Sequence, residues 1–199
     1  MEEIISKEEF DKLMAIKGEA RGDALKGEPE FILKEKGEEG LKKLEEAMAK
    51  LGYPIKYKEI NRTNFYPLGL EAVTLVLIKK IFNFDDKKFE EMGKFESKMS
   101  FIIKIFMKYF FSIERVAKEV SNMWRKNYTV GELKVAELDE NKKYAILRME
   151  NFRLHPIHCI TLIGYFASVL QMMVSSKVTC QETKCIFRGD PYHEYLLKW

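Results

Sequence analysis

The chain has 199 residues, of which 46% are hydrophobic and 33% charged, a composition typical of a soluble globular protein. Its net charge is only +3, and its 34 basic and 31 acidic residues are interleaved, which excludes the segregated basic surface of most nucleic-acid-binding proteins. The acidic start of the chain is not typical of a signal peptide, and lysines interrupt the most apolar stretches, so we expect no membrane span. We therefore expect a cytoplasmic protein whose three cysteines are thiols or metal ligands.

Helical patterns dominate the first two thirds of the chain. Ser6 followed by Glu9 is a capping box, Gly52 is a typical stop signal, and Asp85 is a typical N-cap residue. The segment 53–60 alternates apolar and polar residues, so it is interpreted as either a short strand or a loop. The helices predicted here cover residues 6–17, 41–51, 68–82 and about 85–97.

The segment 100–126 carries the longest helical pattern. Apolar residues recur at steps of three or four from Ile102 to Trp124, and further apolar residues give the helix a second apolar face. We predict one continuous helix that other elements must surround. It is interpreted as the central core helix, and its aromatic residues could also line a cavity for an apolar ligand.

Beyond Asn127 the pattern changes to the alternation typical of strands. Two hairpins, with strands near 133–137, 144–149, 178–185 and 192–198, flank a helix predicted over 156–176. The predicted fold class is α+β, with a four-stranded antiparallel sheet that packs on helices. We expect residues 1–126 to be a helical region of the same compact unit, and residues 127–199 to be an αβ core.

The last quarter of the chain contains a candidate zinc site formed by Cys159, Glu182, Cys185 and His193. Zinc takes thiolate, imidazole and carboxylate ligands in tetrahedral geometry. Cys185 and His193 can lie opposite each other across the last hairpin. Glu182 and Cys185 differ by three, so a regular strand would direct them to opposite faces. We therefore predict a bulge or strand break near Thr183.

A structural interpretation of the same residues stays open at this point. The cysteines could be buried as small apolar residues, while Glu182 could be a surface charge and His193 an edge residue. Cys180 is interpreted as a strand residue, with replacement of Glu182 as the alternative. His155 and His158 are interpreted as capping or surface residues that could instead face a ligand or metal. No nucleotide-binding or hydrolase motif is present, so the chain is not expected to be an enzyme.

The motifs HCITLIGY at 158–165, ETKCIFRGD at 182–190 and HEY at 193–195 resemble the 4-vinyl reductase domain. That family belongs to a superfamily with haem nitric-oxide-binding domains and subunits of the transport-protein-particle tethering complex. The resemblance implies a fold like those subunits and a structural zinc, held by Cys159, Glu182, Cys185 and His193. The chain departs from the family at His193, where the family usually has Cys. Four protein ligands leave no open position for a catalytic water.

The resemblance also implies a sensor or carrier that binds a small apolar or aromatic molecule beside the zinc. The implied pocket residues are Phe106, Tyr109, Phe110, Ile113, Trp124, Tyr165, Phe166 and Val169. A dimeric assembly module that pairs through the helix of 100–126 is the alternative, and a homodimer is expected in either case. A reductase of a tetrapyrrole vinyl group comes third, because no redox-cofactor motif is present.

Overall fold

The structure is a computed structural model that describes residues 4–109 and 112–199, apart from the side chains of Phe106 and Tyr109. Its helices are α1 (Lys7–Met14), α2 (Gly22–Leu25), α3 (Gly27–Lys50), α4 (Gly69–Phe82), α5 (Asp86–Met99), α6 (Phe101–Tyr109), α7 (Ile113–Asn127) and α8 (Pro156–Gln171). Its strands are β1 (Glu19–Arg21), β2 (Phe65–Pro67), β3 (Glu132–Asp139), β4 (Tyr144–Glu150), β5 (Thr179–Lys184) and β6 (His193–Lys198).

The four C-terminal strands form one antiparallel sheet in the order β3-β4-β6-β5. The two predicted hairpins therefore meet through β4 and β6, and the α+β class is confirmed. A second sheet, in which β1 pairs with β2, was not predicted because strands of three residues are too short to show an alternating pattern. The segment 53–60 contains a turn of 3-10 helix rather than a strand.

The N-terminal helices differ from the prediction mainly in length. Asp85 caps α5 by accepting the backbone N–H of Lys88, as predicted. By contrast, α3 begins at Gly27, well before the predicted start, and continues through a kink at Gly37. Gly37 has φ 66°, a left-handed conformation that glycine adopts without the steric cost of a Cβ atom.

The prediction of one helix over 100–126 is wrong. Ser112 has extended backbone angles, φ −131° and ψ 147°, and its side chain accepts the backbone N–H of Arg115 as the N-cap of α7. A serine hydroxyl can bond to nearby backbone N–H groups and so favour the start of a new helix. The apolar pattern does not show this break, because its spacing continues through both helices. The most buried helix is instead α4, which is buried from Gly69 to Ile78.

Helices α5 and α8 cross at unusually close range. A Cβ atom on Gly93 would lie 1.9 Å from the carbonyl oxygen of Thr161, and one on Gly164 would lie 1.9 Å from that of Glu90. Each glycine thus faces the backbone of the other helix, and no larger residue fits there. This crossing positions α8 for the site described next.

Helices α7 and α8 cover different parts of the sheet. Helix α7 packs on the edge strand β3, whereas α8 packs on β5 and β6. The two helices therefore meet the sheet at different strands. Within the part of the chain that the structure describes, no helix combines the length and apolar character needed to cross a membrane.

Candidate metal centre and adjoining cavity

The four predicted zinc ligands meet at one point between α8 and the β5–β6 hairpin. The Sγ atom of Cys159 lies 3.9 Å from Sγ of Cys185 and 3.7 Å from Nδ1 of His193. Nδ1 of His193 lies 3.1 Å from Oε1 of Glu182. All four ligand atoms lie within 4.8 Å of one another, so they could share one metal ion.

These separations agree with tetrahedral coordination. Zinc–sulfur bonds of about 2.3 Å place two thiolates about 3.8 Å apart in a tetrahedron. The separation of the Cys159 and Cys185 sulfur atoms, 3.9 Å, differs little from that value. The set of two thiols, one imidazole and one carboxylate is also chemically suited to zinc.

The irregularity predicted near Thr183 is confirmed. Glu182 pairs with Tyr195 and Lys184 pairs with Glu194, so the strand register shifts between Glu182 and Lys184. Thr183 is the extra residue, and its hydroxyl donates to the backbone carbonyl of Glu194. The bulge brings Glu182 and Cys185 to the same side despite their odd spacing.

A backbone carbonyl orients the imidazole of His193. Its Nε2 atom lies 3.2 Å from the carbonyl oxygen of Phe152, which can only accept a hydrogen bond, so Nε2 carries the proton. Nδ1 then points its lone pair towards Oε1 of Glu182, which is also an acceptor. A metal ion between Nδ1 and Oε1 could accept a lone pair from each.

The thiol and carboxyl pKa values are shifted in opposite directions. Burial raises the pKa of the Cys159 thiol, and the nearby Glu182 and Cys185 raise it further. Burial also opposes ionisation of Glu182, but the adjacent His193 and Cys185 side chains and the charge of Arg188 outweigh it and lower the Glu182 pKa. Without a metal ion Cys159 is therefore a neutral thiol, and a bound metal would displace its proton.

Cys180 lies outside this group of four. It pairs with Leu197 across the last hairpin and packs against the main core. Burial, followed by the charges of Glu90 and Glu182, raises the pKa of its thiol to about 12. These surroundings agree with the prediction of a strand residue and give no support to the replacement of Glu182.

A cavity of about 150 Å³ lies between α7, α8 and the sheet. Of the predicted pocket residues, those that line it are Ile113, Trp124, Tyr165, Phe166 and Val169. Phe110 and the side chains of Phe106 and Tyr109 lie outside the described part of the chain. The strands contribute further apolar side chains to the wall, namely Leu133, Val135, Leu138, Ala145, Leu147 and Leu197.

One end of the cavity is polar, which the sequence reasoning missed. The polar groups there include four carboxyl groups, one guanidinium and one imidazole, from Asp23, Glu30, Glu71, Glu96, Arg62 and His158. Glu71 offered a detectable signal, since it is the one carboxylate in the apolar run from Leu68 to Ile78. A lone acidic residue in a buried helix requires a partner or a function.

The histidines near the start of α8 have different roles. His155 is the N-cap residue, and its Nδ1 accepts the backbone N–H of Ile157, as predicted. His158 is neither a cap nor a surface residue, because it is 5% exposed and lines the cavity. Its Nε2 lies 3.2 Å from Oε1 of Glu71, which also accepts a hydrogen bond from the hydroxyl of Tyr128.

Searches against family models and against curated proteins give no match. Among solved structures, an H-NOX protein from S. oneidensis in its Fe(II)NO state matches with a TM-score of 0.67 at 11% identity, over 89% of this chain and 98% of that chain. An oxygen-binding H-NOX domain related to soluble guanylate cyclases matches with a TM-score of 0.56 at 11% identity, over 89% of this chain and 94% of that chain. The chain thus shares the fold of H-NOX domains, and at this identity the likeness concerns the fold alone.

A subunit of a trafficking protein particle complex from Naegleria fowleri, covalently bound to palmitic acid, also matches. It is 16% identical over 65% of this chain and 92% of that chain, with a TM-score of 0.46. This likeness is too weak to bear on the fold.

Proposed function

We propose that the protein is a sensor or carrier module that binds a small apolar or aromatic molecule in the cavity beside a structural zinc. The observation that carries the proposal is a cavity of about 150 Å³ enclosed mainly by aliphatic and aromatic side chains. An engineered cavity of about this volume in another protein stays dry and binds benzene. The H-NOX fold agrees in general with a ligand-binding sensor.

In this proposal the zinc connects the start of α8 to the β5–β6 hairpin. Cys159 lies in the first turns of α8, and the same helix places Tyr165, Phe166 and Val169 on the cavity wall. Loss of the metal would therefore loosen one wall of the cavity. The division into a helical region 1–126 and a zinc-containing core 127–199 belongs to the same proposal.

Haem is the cofactor that the H-NOX fold suggests, and the residues around this cavity do not fit it. Haem is several times larger than benzene, and an acidic cavity end is unfavourable for a group that carries two carboxylates. Arg62 is the cationic residue at that end, and it is paired with Asp23 and Glu30. His158 is the histidine on the wall, and its Nε2 faces Glu71.

Thermal unfolding in the presence of toluene tests the binding proposal. Toluene should raise the melting temperature of the wild-type chain, because a ligand that binds only the folded state stabilises it. In Val169→Phe, where the larger ring fills the cavity, the shift should be much smaller. Ala167→Val, a neighbouring substitution on α8, is the control and should keep the full shift. Equal shifts in all three chains would contradict the proposal.

A dimeric assembly module is the second candidate function. Phe101 and Ile105 lie one turn apart on α6 and are 59% and 38% exposed. Exposed apolar side chains at such spacing are typical of a contact surface. Sedimentation should show a dimer that becomes a monomer in the double variant Phe101→Ser and Ile105→Ser. A wild-type monomer at high concentration would contradict this candidate.

A further inference from the structure

The polar end of the cavity has more hydrogen-bond acceptors than donors. Glu71 is 3% exposed and lines the cavity, yet its Oε2 atom has no partner among the described residues. The Oε1 atom of Glu96 and the Oδ1 atom of Asn127, which also line the cavity, are likewise buried without a partner. Buried acceptors without a donor each destabilise the folded chain, so such a concentration of them requires an explanation.

The carboxyl groups at this end outnumber the cationic side chains that contact them. Arg62 is accounted for, since it lies 2.7 Å from Oδ1 of Asp23 and 2.5 Å from Oε1 of Glu30. Glu71 and Glu96 have no such guanidinium contact. Glu28, which is near enough to both to feel their charges, is 3% exposed, and its Oε2 has no partner within the described part of the chain. Across the described residues the one contact of these three carboxyl groups with a basic side chain is the approach of Glu71 to Nε2 of His158, at 3.2 Å.

We propose that the cavity selects a small lipophilic amine, whose ammonium group donates hydrogen bonds to Glu71 and Glu96 while its apolar body lies between α7, α8 and the sheet. This inference rests on the proposed function and names the ligand class for the same cavity. An ammonium supplies three donors and one positive charge, which are the two quantities that this end lacks. A carboxylate ligand would add a further acceptor and is disfavoured.

The pKa values of the acidic groups agree with the same ligand class. Burial raises the pKa of Glu96, and the charge of Glu71 raises it further. Burial, followed by the charges of Glu71 and Glu96, raises the pKa of Glu28. A bound cation would offset these unfavourable terms and restore the ionised carboxylates. The alternative is that these carboxyl groups hold protons permanently and have no ligand.

Calorimetry on the full chain with benzylamine, benzyl alcohol and benzoate tests the inference. The three probes have similar apolar bodies and carry a cationic, a neutral and an anionic head. Benzylamine should bind about tenfold or more tightly than benzyl alcohol, and benzoate should bind least well. If benzyl alcohol binds and benzylamine binds no better, the amine inference fails and the apolar-ligand function stands. If none of the three binds, both fail.

Two variants identify the carboxyl groups involved. Glu96→Gln and Glu71→Gln keep the shape of the side chain but remove its charge, so each should lose about tenfold of the preference for benzylamine over benzyl alcohol. The affinity for benzyl alcohol reports whether the cavity is intact in each variant. Glu39→Gln, at an exposed position of α3, is the matched control and should keep the wild-type preference. An unchanged preference in both cavity variants would overturn the inference.

Discussion

At the scale of single residues, three local features bring the metal-site side chains together. The bulge at Thr183 turns Glu182 and Cys185 to one side, and the carbonyl of Phe152 orients the ring of His193. The turn after β5 is closed by Asp190, whose carboxylate accepts the backbone N–H of Cys185 at 2.8 Å. A metal ion would therefore find its ligands already positioned, which lowers the entropy cost of binding.

Removal of one of the four candidate ligands should abolish metal binding. Cys185→Ser and His193→Ala are expected to lose zinc and to lower the free energy of unfolding by several kcal/mol, because zinc binding contributes directly to folding. His193→Cys should retain zinc, since thiolate is an equivalent ligand. Metal analysis together with chemical denaturation measures both quantities. Cys180→Ser is the control and should behave as the wild type.

The buried acidic groups predict an unusual dependence of stability on pH. The folded-state pKa of Glu28 lies well above its ordinary 4.5, so the folded chain holds a proton that the unfolded chain releases. Its contribution to stability is therefore complete below about pH 4.5 and is lost as pH rises through the raised pKa. Each pKa unit corresponds to about 1.4 kcal/mol.

Glu28→Gln removes this titration and should be more stable than the wild type at neutral and alkaline pH. The two chains should converge below about pH 4.5, where the carboxyl group is neutral in the folded and unfolded states alike. Urea denaturation of both chains across this range measures the difference. A constant difference at all pH values would contradict the assignment of a raised pKa.

At the scale of elements, the crossing of α5 and α8 is the contact most sensitive to side-chain size. A methyl group at Gly164 would meet the backbone of Glu90, which cannot move aside as a side chain could. Gly164→Ala should therefore destabilise the chain by about 1–3 kcal/mol or more, although alanine favours helices. Ala167→Ser, on a half-exposed part of the same helix, should change stability by less than about 1 kcal/mol. Chemical denaturation of both variants measures the two changes in the free energy of unfolding, and equal changes would contradict the close helix crossing.

Elements that are marked by a single local sequence signal could be predicted. Elements at which two sequence signals favour different structures could not. The C-terminal hairpins alternate in polarity, and the spacing of Glu182 and Cys185 requires a bulge if both are to bind one metal ion, so both features could be predicted. The division between α6 and α7 could not, because the cap offered by Ser112 opposes an unbroken apolar stripe. Which of the two signals dominates depends on tertiary packing.

At the scale of the whole molecule, the cavity follows from the way two helices share one sheet. Helix α7 packs on β3 and α8 packs on β5 and β6, and side chains of both helices and of β3, β4 and β6 line the cavity between them. The aromatic residues were identifiable as apolar surface, but their place on a cavity wall depends on this arrangement. The acidic end could not be predicted either, since Asp23, Arg62 and Glu96 come from distant segments.

Native mass spectrometry of the purified full chain, offered zinc and toluene, tests the central claim most directly. We expect one zinc ion and one toluene molecule per chain, with toluene lost in Val169→Phe and zinc retained there. If the measured mass includes neither zinc nor toluene, even after zinc supplementation, the account is contradicted. If the chain binds zinc but not toluene, the metal-stabilised fold is supported and the ligand-binding function is contradicted.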